Sequence, residues 1–190
     1  VNNLVKHPYI FGAVVNVESG DHAFSWSGAA GNMAVTDQYF IASTTKIYIT
    51  ALLLHLRSQG HLQLEDKVSQ YIPKDLLSGI HVYKGIEYSC DITIRQLMAQ
   101  TSGLPDYFGD KQRDRKSLQT EIIQGNDRPW TFEQVLQIVK QMNPKFVPGT
   151  KGKAHYSDTN YQLLGRIIEY ITGESIGDAL KKYICEPLHL

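Results

Sequence analysis

Cysteine, net charge and long apolar runs are all scarce in this sequence of 190 residues. Two cysteines cannot build a disulfide-rich mini-fold or a four-cysteine zinc site. Basic and acidic side chains each number 19, so the sequence has none of the basic surplus that nucleic-acid-binding proteins carry. The longest apolar stretch, residues 47–56, is interrupted by Thr50 and His55 and is far too short to span a bilayer.

An initiating methionine and a basic-then-apolar leader are also lacking, since the sequence begins Val1-Asn2-Asn3. A signal peptide that was removed and one that never existed are both compatible with this start, so the compartment stays open. Cys90 and Cys185 could pair in an exported protein, and two separate buried thiols are the alternative.

The sequence contains enough apolar material for a core, with 42% hydrophobic and 20% charged residues. Residues 9–17 and 22–28 are predicted to form two strands of a hairpin around a turn signal at residues 18–21. Helical spacing predicts helices from Ser43, after Thr93, and over residues 132–142, 163–171 and 176–184. The first of these is apolar in nearly every direction, so it is expected to be buried on most sides. Residues 106–129, including the charged run 111–116, are predicted to be a solvated loop.

This order of elements predicts a mixed α+β fold. Residues 1–42 are expected to form the N-terminal hairpin of a sheet, and residues 43–190 a mainly helical lobe. A two-stranded hairpin is not independently stable. Either helices cover it, or further strands of the sheet lie outside this sequence.

The first motif that could carry out a reaction is Ser43-Thr44-Thr45-Lys46. Residues three apart share a helix face, and a neutral lysine amine can take the proton of a serine nucleophile. An unperturbed lysine is neutral in only about 1 of 2500 molecules at pH 7. Burial and a helix N-terminus both favour the neutral amine. The alternative is a capping serine followed by a surface lysine.

The second motif is Tyr156-Ser157-Asp158, which enters a predicted helix. A phenol can relay protons beside a cation, whereas a packed tyrosine next to a helix-capping Asp158 is the alternative. The seven histidines form no helical pair or cluster typical of a metal site, so neither a metal nor a cofactor is expected.

Together these segments resemble the penicillin-recognising serine hydrolases, which include class C β-lactamases, D-Ala-D-Ala carboxypeptidases and related esterases. Residues 41–46, Ile-Ala-Ser-Thr-Thr-Lys, are similar to the Ser-x-x-Lys motif of this family. Residues 156–165 are similar to its Tyr-x-Asn motif and following helix, and residues 60–68 and 93–105 also match. The resemblance extends over essentially the whole sequence and implies the β-lactamase/transpeptidase fold, with a helical lobe and an incomplete antiparallel sheet.

The resemblance implies that Ser43 forms an acyl-enzyme, with its own backbone N–H as one oxyanion donor. Lys46 would be a proton acceptor or electrostatic partner, Tyr156 the proton relay, and Asp158 a contact of Lys46 and of the substrate amide. The implied substrates are D-Ala-D-Ala peptides, β-lactams or small esters, and Ser157 favours carboxypeptidase- or esterase-like members. The implied location is periplasmic or cell-surface. The alternative is a non-catalytic relative that binds peptidoglycan or a protein partner.

Three departures from the family pattern stand out. The third motif, Lys-Thr-Gly or His-x-Gly on a later strand, is absent, so we expect it in a missing C-terminal part of the same protein and expect negligible turnover by residues 1–190 alone. Asp158 replaces the usual asparagine, and either Lys46 stays charged beside it with Tyr156 as the main base, or Asp158 takes up a proton. We expect that Lys46 stays charged beside Asp158. Gln100 stands where many relatives carry histidine.

Overall fold

The computed structural model describes residues 1–111 and 117–190. These residues form two compact units, Val1–Ala42 and Ser43–Leu190. Most of the charged run predicted to be a solvated loop, residues 112–116, lies outside the described residues.

The first unit is built on a β-hairpin. Strand β1 (Gly12–Glu18) pairs antiparallel with β2 (Ser25–Gly31), and Glu18 lies opposite Ser25 at the turn end. The Ser19 N–H donates to the Phe24 carbonyl at 2.9 Å and closes the connection. The predicted hairpin is therefore present, with each strand beginning three residues later than expected, at 12 rather than 9 and at 25 rather than 22.

The second unit is mainly helical, with a two-residue hairpin of β3 (Val82–Tyr83) and β4 (Ile86–Glu87). A 3-10 turn (Ala42–Thr44) leads into the first helix, and a further 3-10 turn (Val68–Gln70) and a π-helical turn (Lys181–Cys185) also occur. The helices are α1 (Thr45–Ser58), α2 (Lys74–Leu77), α3 (Ile94–Met98), α4 (Leu118–Ile123), α5 (Phe132–Lys140), α6 (Asp158–Thr172), α7 (Ile176–Leu180) and α8 (Glu186–Leu188).

Helix α4 corrects the prediction that residues 106–129 are loop throughout. Ser117 begins it by accepting a hydrogen bond from the Thr120 N–H at 3.3 Å, and Leu118 is buried at its first position. The segment is polar, so it shows no periodic helical pattern. A capping serine and one buried leucine are nevertheless enough to stabilise a helix of about a turn and a half.

One hydrophobic core lies between α1, α3, α5 and α6. Helix α1 contributes four buried side chains at helical spacing, Ile49, Leu52, Leu53 and Leu56. The expectation that α1 is buried on most sides is wrong for this unit, because Ile47 and Leu54 on the other face are 68% and 42% exposed. Helix α6 supplies the facing side chains Leu163, Leu164, Ile167 and Ile168, all fully buried.

The alternative left open for the two cysteines is resolved at this level. Cys90 and Cys185 are both free and half-buried. Over residues 1–111 and 117–190, no helix combines the length and the hydropathy that crossing a membrane requires.

Candidate active site

Ser43 lies in the 3-10 turn immediately before α1, and its side chain is exposed. The preceding Ala42 has φ +46°, a left-handed conformation that residues with a Cβ seldom adopt. Such outliers concentrate at functional sites, where the surrounding structure holds them. Lys46 follows in the first turn of α1, so the spacing of the motif sends both side chains to the same side.

The Ser43 hydroxyl oxygen receives two hydrogen bonds. Lys46 Nζ donates to Ser43 Oγ at 3.1 Å, and Tyr156 Oη, from a segment 113 residues away in sequence, donates at 2.8 Å. The structure thus brings together the three side chains that the sequence singled out. Two donors on one oxygen are an arrangement that stabilises negative charge developing there.

Lys46 is enclosed by charge and by aromatic rings. Its Nζ lies 2.6 Å from Asp158 Oδ1, with the two side chains only 17% and 23% exposed. At this distance the two groups form a close ion pair. Nζ also lies 5.0 Å from the Tyr156 ring centroid and 5.5 Å from that of Tyr161, within cation–π range.

These contacts determine the charge of Lys46. Burial lowers the pKa of its ammonium group, but the hydrogen bonding and charge of Asp158, with a contribution from Tyr156, outweigh that effect and raise the pKa above its ordinary value. Lys46 is therefore an ammonium at neutral pH. Tyr161 is itself anchored, since its Oη lies 3.1 Å from Thr50 Oγ1 on the next turn of α1.

Asp106 caps the helix that carries Asp158. Its Oδ1 accepts the Asp158 N–H at 3.0 Å and the Phe108 N–H at 3.2 Å, and its Oδ2 accepts the Gly109 N–H at 2.9 Å. The alternative in which Asp158 caps this helix is therefore wrong: Asp158 is the first helical residue, and the side chain of Ser157 at the cap position makes no capping bond. Burial raises the pKa of Asp106, although these N–H donors oppose the rise.

The start of α6 is also bound to the loop that contains Asp106. The Pro105 carbonyl accepts hydrogen bonds from Ser157 Oγ at 2.8 Å and from Thr159 Oγ1 at 2.6 Å. Thr159 Oγ1 in turn accepts the Tyr107 N–H at 3.3 Å. Ser157 and Thr159 are fully buried, so the two segments form one rigid junction behind Tyr156 and Asp158.

An ion-pair cluster lies beside this junction. Asp110 Oδ2 is 2.9 Å from Lys145 Nζ and 3.0 Å from His155 Nε2, and it also accepts the Asp106 N–H at 2.9 Å. Burial raises the pKa of Asp110, but Lys145, the backbone of Asp106 and His155 outweigh it and hold the pKa below its ordinary value. His155 thus contacts Asp110 next to the candidate site.

Sequence reasoning missed several residues that shape the site. The sequence pattern places Asp106 at the start of a loop, although an aspartate after a proline is a common turn and capping residue. It gives Tyr161 no role beyond the helix that follows the tyrosine motif. Within the described ranges, no group of three or more metal-binding side chains is placed to hold an ion.

The comparison with known sequences agrees with this geometry. Residues 5–190 match the family model described as Beta-lactamase. Protein flp of Staphylococcus aureus (strain COL) is 31% identical over 155 residues, which cover 82% of this chain and 27% of that protein. A proposed D-alanyl-D-alanine carboxypeptidase of Escherichia coli (strain K12) is 31% identical over 153 residues, 80% of this chain and 32% of that protein. The chain therefore spans about a third or less of these relatives.

A solved structure gives the same result for the fold. The D-stereospecific amidohydrolase from a Streptomyces species superposes with a TM-score of 0.78 at 30% identity, over 96% of this chain and 51% of that one. The expected β-lactamase/transpeptidase-like α+β fold is confirmed. A seryl oxygen held between a lysine and a tyrosine, the match over residues 5–190 and the shared fold lead to one conclusion: this chain belongs to the Beta-lactamase family of serine hydrolases.

Proposed function

We propose that the protein containing this chain hydrolyses acyl substrates through a covalent ester on Ser43. The observation that carries the proposal is the pair of hydrogen bonds to Ser43 Oγ, from Lys46 Nζ at 3.1 Å and Tyr156 Oη at 2.8 Å. A nucleophilic serine needs a proton acceptor within hydrogen-bond reach and charge stabilisation at its oxygen. Both partners meet that distance requirement.

The proton path follows from the charge of Lys46. As an ammonium it has no free electron pair, so it cannot take the seryl proton; it stabilises negative charge on Ser43 Oγ instead. Tyr156 Oη is then the acceptor, and it takes the seryl proton as a phenolate, after the proton with which it donates to Ser43 Oγ in the resting site has passed to water. Ser43 Oγ bonds to the substrate carbonyl carbon while its proton passes to Tyr156 Oη. The bond from that carbon to the leaving nitrogen or oxygen then breaks, and the same proton goes to the leaving amine or alcohol. Water reverses these steps, releasing the acid and regenerating the hydroxyl of Ser43.

The substrate class we favour is a D-configured amide or peptide such as a D-Ala-D-Ala terminus, with β-lactams and small esters as the other members of the implied set. Two relatives with names of this kind support the choice, the D-stereospecific amidohydrolase at 30% identity and the proposed D-alanyl-D-alanine carboxypeptidase at 31%. Asp158 would contact the substrate close to the reacting carbonyl. Its Oδ1 and Ser43 Oγ both lie near Lys46 Nζ, at 2.6 and 3.1 Å.

The second candidate is a non-catalytic relative that binds peptidoglycan or a protein partner. The ion pair between Lys46 and Asp158 favours it, because the paired ammonium cannot act as a base. The two candidates differ in whether Ser43 becomes covalently modified.

Covalent labelling of the full-length protein by a fluorescent penicillin, read on a denaturing gel, tests the proposal. We expect labelling that Ser43→Ala abolishes. The matched control is Ser58→Ala on the same helix, whose hydroxyl only donates to the His55 carbonyl. Rates with a D-Ala-D-Ala peptide, a chromogenic cephalosporin and a p-nitrophenyl ester then rank the substrates. Absence of a Ser43-dependent adduct with all of these probes would favour the binding role.

A further inference from the structure

We propose that Gln100 is a positioning residue for Tyr156, and this inference rests on the proposed function. Gln100 contacts the chain on both sides of the tyrosine. Its backbone carbonyl accepts the His155 N–H at 2.9 Å, and its side-chain Oε1 accepts the Ser157 N–H at 2.9 Å. A single residue therefore binds the backbone N–H groups of both neighbours of Tyr156.

Tyr156 depends on such external support. It belongs to an irregular segment before α6, without the hydrogen-bond ladder of a helix or strand, and its side chain is 52% exposed. The position of the phenol relative to Ser43 therefore depends on how its backbone is held. A displacement of about 1 Å at a reacting group can cost two orders of magnitude in rate.

The side chain of Gln100 is itself held in place by a hydrogen bond. Its Oε1 accepts a second, short hydrogen bond from Asn160 Nδ2, and Asn160 Oδ1 accepts the Ser102 hydroxyl proton at 2.6 Å. Asn160 and Ser102 are fully buried. The amide oxygen that holds Ser157 is therefore itself oriented by a buried polar network.

The backbone of Gln100 gives independent support. Its φ is +60°, a left-handed conformation that glycine or asparagine adopts with less strain. Helix α3 ends just before it, at a place where glycine is the usual terminating residue. A glutamine at a strained position indicates that its side chain is used, and among the described residues the hydrogen bonds of that side chain go to Ser157 and Asn160.

Glutamine differs from histidine at this position in one physical respect. The amide oxygen accepts hydrogen bonds at every pH, whereas an imidazole nitrogen accepts only when neutral and becomes a donor when protonated. A histidine would direct a proton at the Ser157 N–H on the acid side of its pKa. Gln100 therefore makes the alignment of Tyr156 independent of this titration.

The experiment compares four variants of the full-length protein by kcat, KM and pH profile of acylation. Gln100→Met removes the acceptor at similar length, and we expect kcat to fall about 10- to 100-fold with KM nearly unchanged. Gln100→Glu keeps an acceptor oxygen and should restore most of kcat. Gln100→His should add an acidic limb near the ordinary histidine pKa of about 6.5 that the parent protein lacks. Ser69→Ala is the matched control, because its hydroxyl donates to the Cys90 carbonyl at 2.9 Å and belongs to none of these hydrogen bonds; we expect it to lower stability and to leave kcat and the pH profile unchanged.

Other titratable groups surround this segment, and all of them remain in every variant. They are Lys46, His81, Asp106, Asp110, Lys145, His155 and Asp158. A limb that appears only in Gln100→His therefore belongs to the new imidazole. Parental kcat and an unshifted pH profile in both Gln100→Met and Gln100→His would overturn the inference.

Hydrogen exchange separates this inference from the proposed function. The Ser157 amide should exchange faster in Gln100→Met than in the parent protein, while amides of the α6 interior keep their protection. This readout needs no turnover. Faster exchange in a protein that forms no Ser43 adduct would leave the positioning role standing and remove the hydrolase. Unchanged exchange at Ser157 would remove the positioning role, whatever the activity.

Discussion

Lys46 Nζ and Asp158 Oδ1 lie 2.6 Å apart and join the first turns of α1 and α6. Both groups lie at the positive end of a helix dipole, which disfavours the ammonium at the N-terminus of α1 and favours the carboxylate at the N-terminus of α6. The ion pair compensates for the unfavourable position of Lys46. It also ties the serine motif to the tyrosine motif, so the charge of Lys46 and the geometry of the candidate site depend on the same contact.

The first prediction concerns Asp158→Asn. Removing the carboxylate is expected to lower the pKa of Lys46, because burial then acts with less opposition. In the plot of acylation rate against pH, the limb that reflects loss of the proton from Lys46 should therefore move to lower pH. An acylation profile with no shifted limb would show that Asp158 and Lys46 are not coupled.

The same variant should lower stability. The raised pKa of Lys46 contributes stability that is present below its unfolded value and lost as pH rises through the folded one, so the loss should appear at pH 7. We expect about 1–3 kcal/mol, between the values for exposed and buried pairs, measured by urea unfolding. The matched control is Asp91→Asn, which breaks an equally short but exposed pair with Lys67 and should cost well under about 1 kcal/mol.

The second prediction concerns Asp106, the cap of α6. Asp106→Ala should destabilise the protein by about 1–2 kcal/mol, because three backbone N–H groups lose their acceptor. Asp106→Asn should cost less, since its Oδ1 can still accept from Phe108 and Asp158. Equal losses in urea unfolding for the two substitutions would contradict the capping role.

Asp106 also predicts a pH dependence. Its folded pKa is raised, so the native state binds its proton more tightly and this contribution to stability falls as pH rises from the ordinary aspartate value to the raised one. Asp106→Asn removes the titration. The stability of the parent protein relative to this variant should therefore increase toward acid pH across that window.

The third prediction has the opposite sign. The pKa of Asp110 is depressed by its partners Lys145 and His155, so its contribution is present above the ordinary aspartate value and is lost as pH falls. Asp110→Asn should reduce stability by on the order of 1 kcal/mol at pH 7 and by progressively less as pH falls below the ordinary aspartate pKa of about 3.9. A loss of the same size at every pH would show that the ion pairs do not act in this way.

The fourth prediction separates backbone strain from steric clash. Gly103 and Gly152 have nearly identical φ values of +74° and +73°. A Cβ on Gly103 would lie 2.1 Å from the Phe146 carbonyl oxygen, whereas one on Gly152 meets nothing within 4 Å. Gly152→Ala should cost about 1 kcal/mol, and Gly103→Ala at least about 3 kcal/mol, by thermal or urea unfolding. Equal losses of stability in the two variants would mean that the loop near Phe146 moves to accommodate the added Cβ.

Local sequence signals determined much of the fold. Thr93 and Thr131 begin α3 and α5 with capping boxes, and apolar residues at helical spacing mark the buried faces of α1 and α6. These features act over three or four residues, so they can be recognised from the sequence without a structure. The short helix α4 escaped because one buried leucine does not make a periodic pattern.

The two reacting motifs were also legible, because Ser43 and Lys46 are three residues apart on one helical turn and Tyr156 belongs to a recognisable segment. Only the tertiary structure shows which residues set the charge of Lys46 and hold Tyr156 in place. Asp106 caps α6 from a distant loop, Tyr161 lies over Lys46, and Gln100 holds both sides of Tyr156. These partners are separated in sequence, and their contacts arise only when the packing of α1, α3 and α6 brings three segments to one place.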